Sequence, residues 1–221
     1  MSADRIQLYS LPTPNGRKVS IALEEMGLEY DAHRIDIMEG DQFTPEFITV
    51  NPNSKIPAIT DPDGPDGKPL HVMESGAILT YLARKTGKLM PSDPRLQSET
   101  EQWLHFQMGG VGPMFGQFGH FYKYAGEKCT HPYPEERYRT EARRQLAVLD
   151  KRLEGTDYLV GNQYTIADIA TFPWVGCIDW GYAAWEHMGV DEFKNVVAWH
   201  KRCDEKPASI RGASICGAEE T

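Results

Sequence analysis

Apolar and polar positions in the first part of the chain alternate between two periods. Ile6 to Tyr9 reads as a short strand. Thr13-Pro14-Asn15-Gly16 then turns the chain into a segment where Val19, Ala22, Leu23 and Met26 recur at helical spacing, ending at Gly27. A second strand is predicted over Tyr30 to Asp36, and Thr44-Pro45 pairs an N-cap with a first-turn proline to open a short helix over Glu46 to Val50. Ala58 to Asp61 and Leu70 to Met73 are predicted as antiparallel strands joined by Pro62-Asp63-Gly64-Pro65-Asp66-Gly67. From Ser75 a helix carries Ile78, Tyr81 and Leu82 on one face and stops at Gly87. The order is βαβαββα.

Beyond this point no strand pattern recurs. Residues 88–95, rich in proline and polar side chains, read as a linker between a domain over 1–87 and an all-helical domain over 96–210, with 211–221 as a loosely ordered tail. Ala142, Leu146, Leu149 and Leu153 form one helical seam; Thr165-Ile166-Ala167-Asp168 places a capping residue before another, with Asp168 standing where Glu or Gln usually completes the box. Gly109, Gly110, Gly112, Gly116 and Gly119 each cost a helix up to ~1 kcal/mol relative to Ala. Their density implies close backbone approach, either to a neighbouring helix or to a ligand or dimer partner.

Composition narrows the class. With 40% apolar and 25% charged residues in 221, the chain is an ordinary folded protein. Its net charge of −9 repels a phosphate backbone and argues against a nucleic-acid partner. The opening Met-Ser-Ala-Asp-Arg lacks an apolar signal core, and no stretch approaches the ~18 apolar residues of a membrane span. The expected location is cytoplasmic, with no membrane association. Cys129, Cys177, Cys203 and Cys216 form neither a CxxC pair nor a metal spacing, so no metal is expected; Cys177 and Cys203 read as buried, inert thiols.

Three short segments can carry chemistry. In Asn51-Pro52-Asn53-Ser54-Lys55-Ile56-Pro57-Ala58, a proline at the mouth of a strand marks either an ordinary turn or a cis bond that leaves the backbone of Ile56 free to pair with an extended peptide. Glu74-Ser75-Gly76 sits at a strand-to-helix junction. Ser75 and the first-turn amides suit a carboxylate there and Glu74 suits an ammonium, the two ends of an α-amino acid; plain N-capping with a solvated Glu74 is the alternative. Thr13 and Asn15 lie before a helix whose positive end favours a thiolate, and helix capping is again the simpler role.

These segments, with Gly16-Arg17-Lys18-Val19, Gln42-Phe43-Thr44-Pro45-Glu46-Phe47 and Glu74-Ser75-Gly76-Ala77-Ile78, resemble the cytosolic glutathione transferase superfamily. Thr13-Pro14-Asn15, the run Gly109 to Met114 and Glu136-Arg137-Tyr138 are similar to its bacterial Nu class, whose relatives include the yeast nitrogen-regulatory prion protein. The resemblance spans roughly residues 5 to 210 and implies a thioredoxin-like N-terminal domain, a C-terminal helical bundle and a homodimer with its ligand cleft near the subunit boundary. It also implies glutathione, reduced or oxidised, as cosubstrate. Glu74 and Ser75 would grip its γ-glutamyl end and the Ile56 backbone its cysteinyl unit. Gln42 and Lys55 would lie near the glycyl carboxylate, Thr13 and Asn15 would face the sulfur, and Arg137 would contribute from the helical domain. Many classes place Tyr, Ser or Cys where this chain has Thr13; Tyr9 is a fallback whose strand position favours a structural ring. The aromatic stretch Gln117 to His131 would shape the second substrate's site or pack structurally.

The expected activity is reduction of a small disulfide, with glutathione supplying the thiolate. Conjugation of glutathione to an electrophile is the runner-up, and a non-catalytic regulatory module is a third reading.

Overall fold

A computed structural model of the protein describes residues 4–217. The described residues divide into two compact units, 4–88 with 206–217, and 89–205.

The first unit is built on a four-stranded sheet of β1 (Ile6–Ser10), β2 (Tyr30–Arg34), β3 (Ala58–Asp61) and β4 (Leu70–Met73), in the order β2-β1-β3-β4. β1 runs parallel to β2 and antiparallel to β3, and β3 is antiparallel to β4. Parallel β1 and β2 need a crossover, which α1 (Pro14–Met26) supplies; β3 and β4 need only the turn-rich connection between them. α2 (Pro45–Val50) and α3 (Ser75–Thr86) complete the predicted βαβαββα order. β2 stops two residues before the predicted Asp36, whose carboxylate and backbone instead organise a turn with Met38 and Asp41. The core gathers Leu8 and Ile59 of the sheet with Val19 and Leu23 of α1 and Ile78 and Leu82 of α3, all fully buried. At ~25 cal/mol per Å² of apolar surface, each such side chain contributes roughly 1.5–3 kcal/mol.

The second unit is helical: α4 (Pro94–Phe106), α5 (Gly112–Gly119), α6 (Tyr133–Arg152), α7 (Ile166–Trp180) and α8 (Lys194–Asp204). Asp93 caps α4, so the last two residues of the predicted linker are already helical. Between α4 and α5 the backbone passes through a π-helical turn over Gln107–Val111. Two glycines of α5 are explained by neighbouring side chains of the same unit. A Cβ on Gly119 would lie 2.2 Å from the ring of Tyr182, and on Gly116 3.4 Å from Trp174, whereas Gly109 faces open space. The seam predicted on α6 is buried at Ala142, Leu146 and Leu149, and Cys177 and Cys203 are buried as expected.

The end of the chain differs from the sequence reading. Residues 206–210 belong with the first unit and not with the helical domain, because α9 (Pro207–Gly212) packs on α1. Gly212 permits that approach: a Cβ there would sit 2.8 Å from the Ile21 backbone, and Ser20 Oγ donates to the Gly212 carbonyl at 2.7 Å. The expected loose tail is therefore ordered helix through Gly212; its residues 218–221 lie outside the described residues.

Candidate functional site

Strand register brings the three chemistry-bearing segments together. Ala58, the first residue of β3, stands opposite Tyr9 near the end of β1 and opposite Met73 at the end of β4. The turn after β1, the loop before β3 and the junction after β4 consequently meet at the same end of the sheet's strands.

They enclose a pocket of about 180 Å³ lined by Asn15, Asn51, Lys55, Ile56, Pro57, Glu74 and Ser75. Of the residues read from the sequence, Asn15, Lys55, Ile56, Glu74 and Ser75 are brought together here. Thr13 and Gln42 are not among the lining residues, and Arg137 is an exposed residue of α6 in the other unit.

Each of the three segments has a local cause for its shape. Thr13, in extended conformation, caps α1 by accepting the Gly16 amide at 3.2 Å, which leaves its hydroxyl hydrogen to donate. The Ile56–Pro57 peptide is cis. Asn51, 1% exposed, braces that loop: its Nδ2 donates to the Lys55 carbonyl at 2.6 Å and its Oδ1 accepts from the Asn53 amide at 2.9 Å. Among the described residues, neither the amide nor the carbonyl of Ile56 is bound by another backbone group, so both can meet a peptide ligand as an added strand would. Glu74 holds φ +67°, a left-handed backbone that costs a non-glycine residue about 1–3 kcal/mol and recurs at functional sites. Ser75 is the first residue of α3 and lines the pocket, so the first-turn amides of that helix start at the pocket wall.

Gln42 Nε2 donates to the Ile37 carbonyl at 3.3 Å within its own loop. Tyr9 stacks on His33 at 4.9 Å and meets Phe47 edge-on, as a structural ring does. In the helical unit Phe118 is buried and stacked on Tyr122, Phe121 is stacked on Tyr138, and Tyr124 is 60% exposed. That unit also holds a wider cleft of about 790 Å³ between Arg95, Trp103 and Arg152. Arg152 there pairs with Glu99 and lies over the Trp103 ring, so its charged and aromatic groups engage one another.

The sequence reading gave no role to Lys18. It is 1% exposed, and its Nζ donates to Ser75 Oγ at 3.3 Å directly behind the pocket. Burial pulls its amine well below the usual lysine range, and the nearby Glu74 pulls it back up. The signal was present in the pattern: Lys18 lies three and four residues before Ile21 and Ala22, on the apolar stripe of α1.

A thioredoxin-like unit whose strand ends gather a peptide edge and an acidic-hydroxyl pair, followed by a helical unit, defines a glutathione-transferase architecture, and the chain belongs to the glutathione S-transferase family. The family model for the glutathione S-transferase N-terminal domain matches residues 13–85, and that for the C-terminal domain matches residues 113–207. Disulfide-bond oxidoreductase YfcG of Escherichia coli is 46% identical over 207 residues, covering 92% of each chain. A glutathione transferase of Burkholderia graminis, solved with two glutathione molecules per subunit, is 54% identical at a TM-score of 0.94, covering 96% of this chain and 88% of its own. One from Pseudomonas putida, solved with one glutathione disulfide per subunit, is 51% identical at a TM-score of 0.94, covering 97% and 93%.

Proposed function

We propose that this protein is a glutathione-dependent disulfide-bond reductase in which glutathione brings the reactive sulfur. The observation that carries the reading is the makeup of the pocket: a carboxylate, a hydroxyl at a helix start and an open peptide edge, with no cysteine among the lining residues. Such a site fits the γ-glutamyl and cysteinyl parts of the tripeptide and leaves the sulfur chemistry to the ligand. The disulfide oxidoreductase name of the Escherichia coli relative, and the glutathione disulfide held by the Pseudomonas putida relative, support it.

In this assignment Glu74 takes the ammonium and Ser75 the α-carboxylate. Ile56 pairs with the cysteinyl backbone, Lys55 and Gln42 serve the glycyl carboxylate, and Arg137 is a further glutathione contact. Thr13 and Asn15 face the sulfur. The bound thiolate attacks a substrate disulfide, forming one S–S bond and releasing one substrate thiolate. A second glutathione thiolate then attacks the mixed disulfide, releasing the other substrate thiolate and glutathione disulfide. Lowering a thiol pKa from ~8.5 to near 7 requires about 2 kcal/mol, within reach of the α1 N-terminus plus one or two hydrogen bonds.

Thr13→Val is expected to slow reduction of a small disulfide about tenfold at pH 7, with the rate recovering as pH rises, because one hydrogen bond to a charged acceptor is lost. Initial rates across pH check this. A pH profile unchanged in the variant contradicts the role of Thr13, and an aryl-halide conjugation rate far above the disulfide rate replaces reduction by conjugation. A cytoplasmic homodimer belongs to the same proposal; sedimentation returning the 24.9 kDa of one chain would remove the dimer from it.

A further inference from the structure

We propose that Lys18 is a positioning residue that makes the Ser75 end of the pocket specific for the α-carboxylate of the γ-glutamyl group. The inference rests on the glutathione-binding reading and deepens it. A lysine amine taken almost wholly out of water gives up its hydration, and a methionine would fill the same space at no such cost. The geometry shows what the amine does there. Lys18 Nζ donates to Ser75 Oγ at 3.3 Å, and Ser75 is itself buried and lines the pocket.

A hydroxyl oxygen that accepts from Lys18 can turn its own hydrogen toward a carboxylate that enters the pocket. In its charged form the amine adds to the attraction of the first-turn amides of α3 for an anion; burial disfavours that form and Glu74 favours it. An incoming carboxylate in turn offsets the desolvation that disfavours the Lys18 cation. Glu74 is the electrostatic counterweight: it interacts with Lys18 and meets the ligand's ammonium, so the two charges sort the two ends of the amino-acid group. Lys18 does this without touching the ligand, through Ser75.

The test compares reduced glutathione with an analogue whose γ-glutamyl α-carboxylate is amidated, by calorimetry on the full chain. Wild-type protein is expected to prefer glutathione, and Lys18→Met to lower that preference about tenfold, the worth of one charge-assisted hydrogen bond. Affinity for the amide should stay the same. In turnover the variant should raise KM for glutathione about tenfold and leave kcat within about twofold. Lys18→Gln, which keeps a donor without the charge, should fall between the two, and serves if the methionine variant does not fold.

A merely structural lysine would weaken both ligands alike. An unchanged preference in the variants overturns the proposal while the glutathione reading stands; wild-type protein that binds neither ligand overturns both.

Discussion

Glu74→Gln combined with Ser75→Ala is expected to weaken glutathione binding about 100- to 1000-fold, the largest functional effect of any change in the pocket. In the proposed assignment each residue contributes a hydrogen bond to a charged group of the ligand, worth about 1.5–3 kcal/mol, and every 1.4 kcal/mol is a factor of ten. The proposal places the two at opposite ends of one amino-acid group, so each single change should lose roughly tenfold or more. Titration calorimetry with reduced glutathione reads the loss, and thermal melts of the same variants separate it from loss of fold. Binding within threefold of wild type in the double variant would move the γ-glutamyl site elsewhere. Glu74 also holds the strained backbone, with φ +67° at the junction of β4 and α3. The strand pairing on one side and the helix on the other keep it there, so the carboxylate is presented by structure that exists before any ligand arrives.

Asp168→Ala should produce the largest loss of stability, about 3–5 kcal/mol. The Asp168 carboxylate is fully buried. One oxygen accepts from the Leu159 amide and Trp199 Nε1, both at 2.9 Å, and the other from the Thr165 amide at 3.0 Å and the Thr165 hydroxyl at 3.2 Å. Burial pushes its pKa up and these donors pull it down. Alanine leaves two backbone amides and an indole N–H without their acceptor in the buried interior, at about 1–3 kcal/mol each before relaxation. At roughly 2–4 °C per kcal/mol for a chain of this size, calorimetry should show a melting point about 10 °C lower. A shift under about 3 °C would mean that water replaces the carboxylate.

The predicted capping box at Thr165 and Asp168 is present, but its larger role was not visible in four residues. Leu159 lies nine positions back and Trp199 thirty-one ahead, and no local pattern links them to a cap. The glycines of α5 are similar: their density signalled close approach, and only the packed unit shows Trp174 and Tyr182 as the reason. The expected boundary at 210 falls inside α9, because its six residues carry no record of what they pack against; the decisive contacts, Ser20 and Ile21 with Gly212, span more than 190 positions.

Secondary structure was largely legible, since a strand's period of two, a helix's 3.6 and the caps at Thr13, Thr44 and Thr165 are properties of a few consecutive side chains. The motif residues Asn15, Lys55, Ile56, Glu74 and Ser75 were legible as separate chemistries for the same reason. Their convergence belongs to tertiary structure, because it follows from Ala58 pairing with both Tyr9 and Met73, and strand order is decided by long-range hydrogen bonds and burial. The role of Lys18 belongs there too. In the sequence it is one cation next to another in a helix, and only burial against Ser75 separates it from a solvated surface charge.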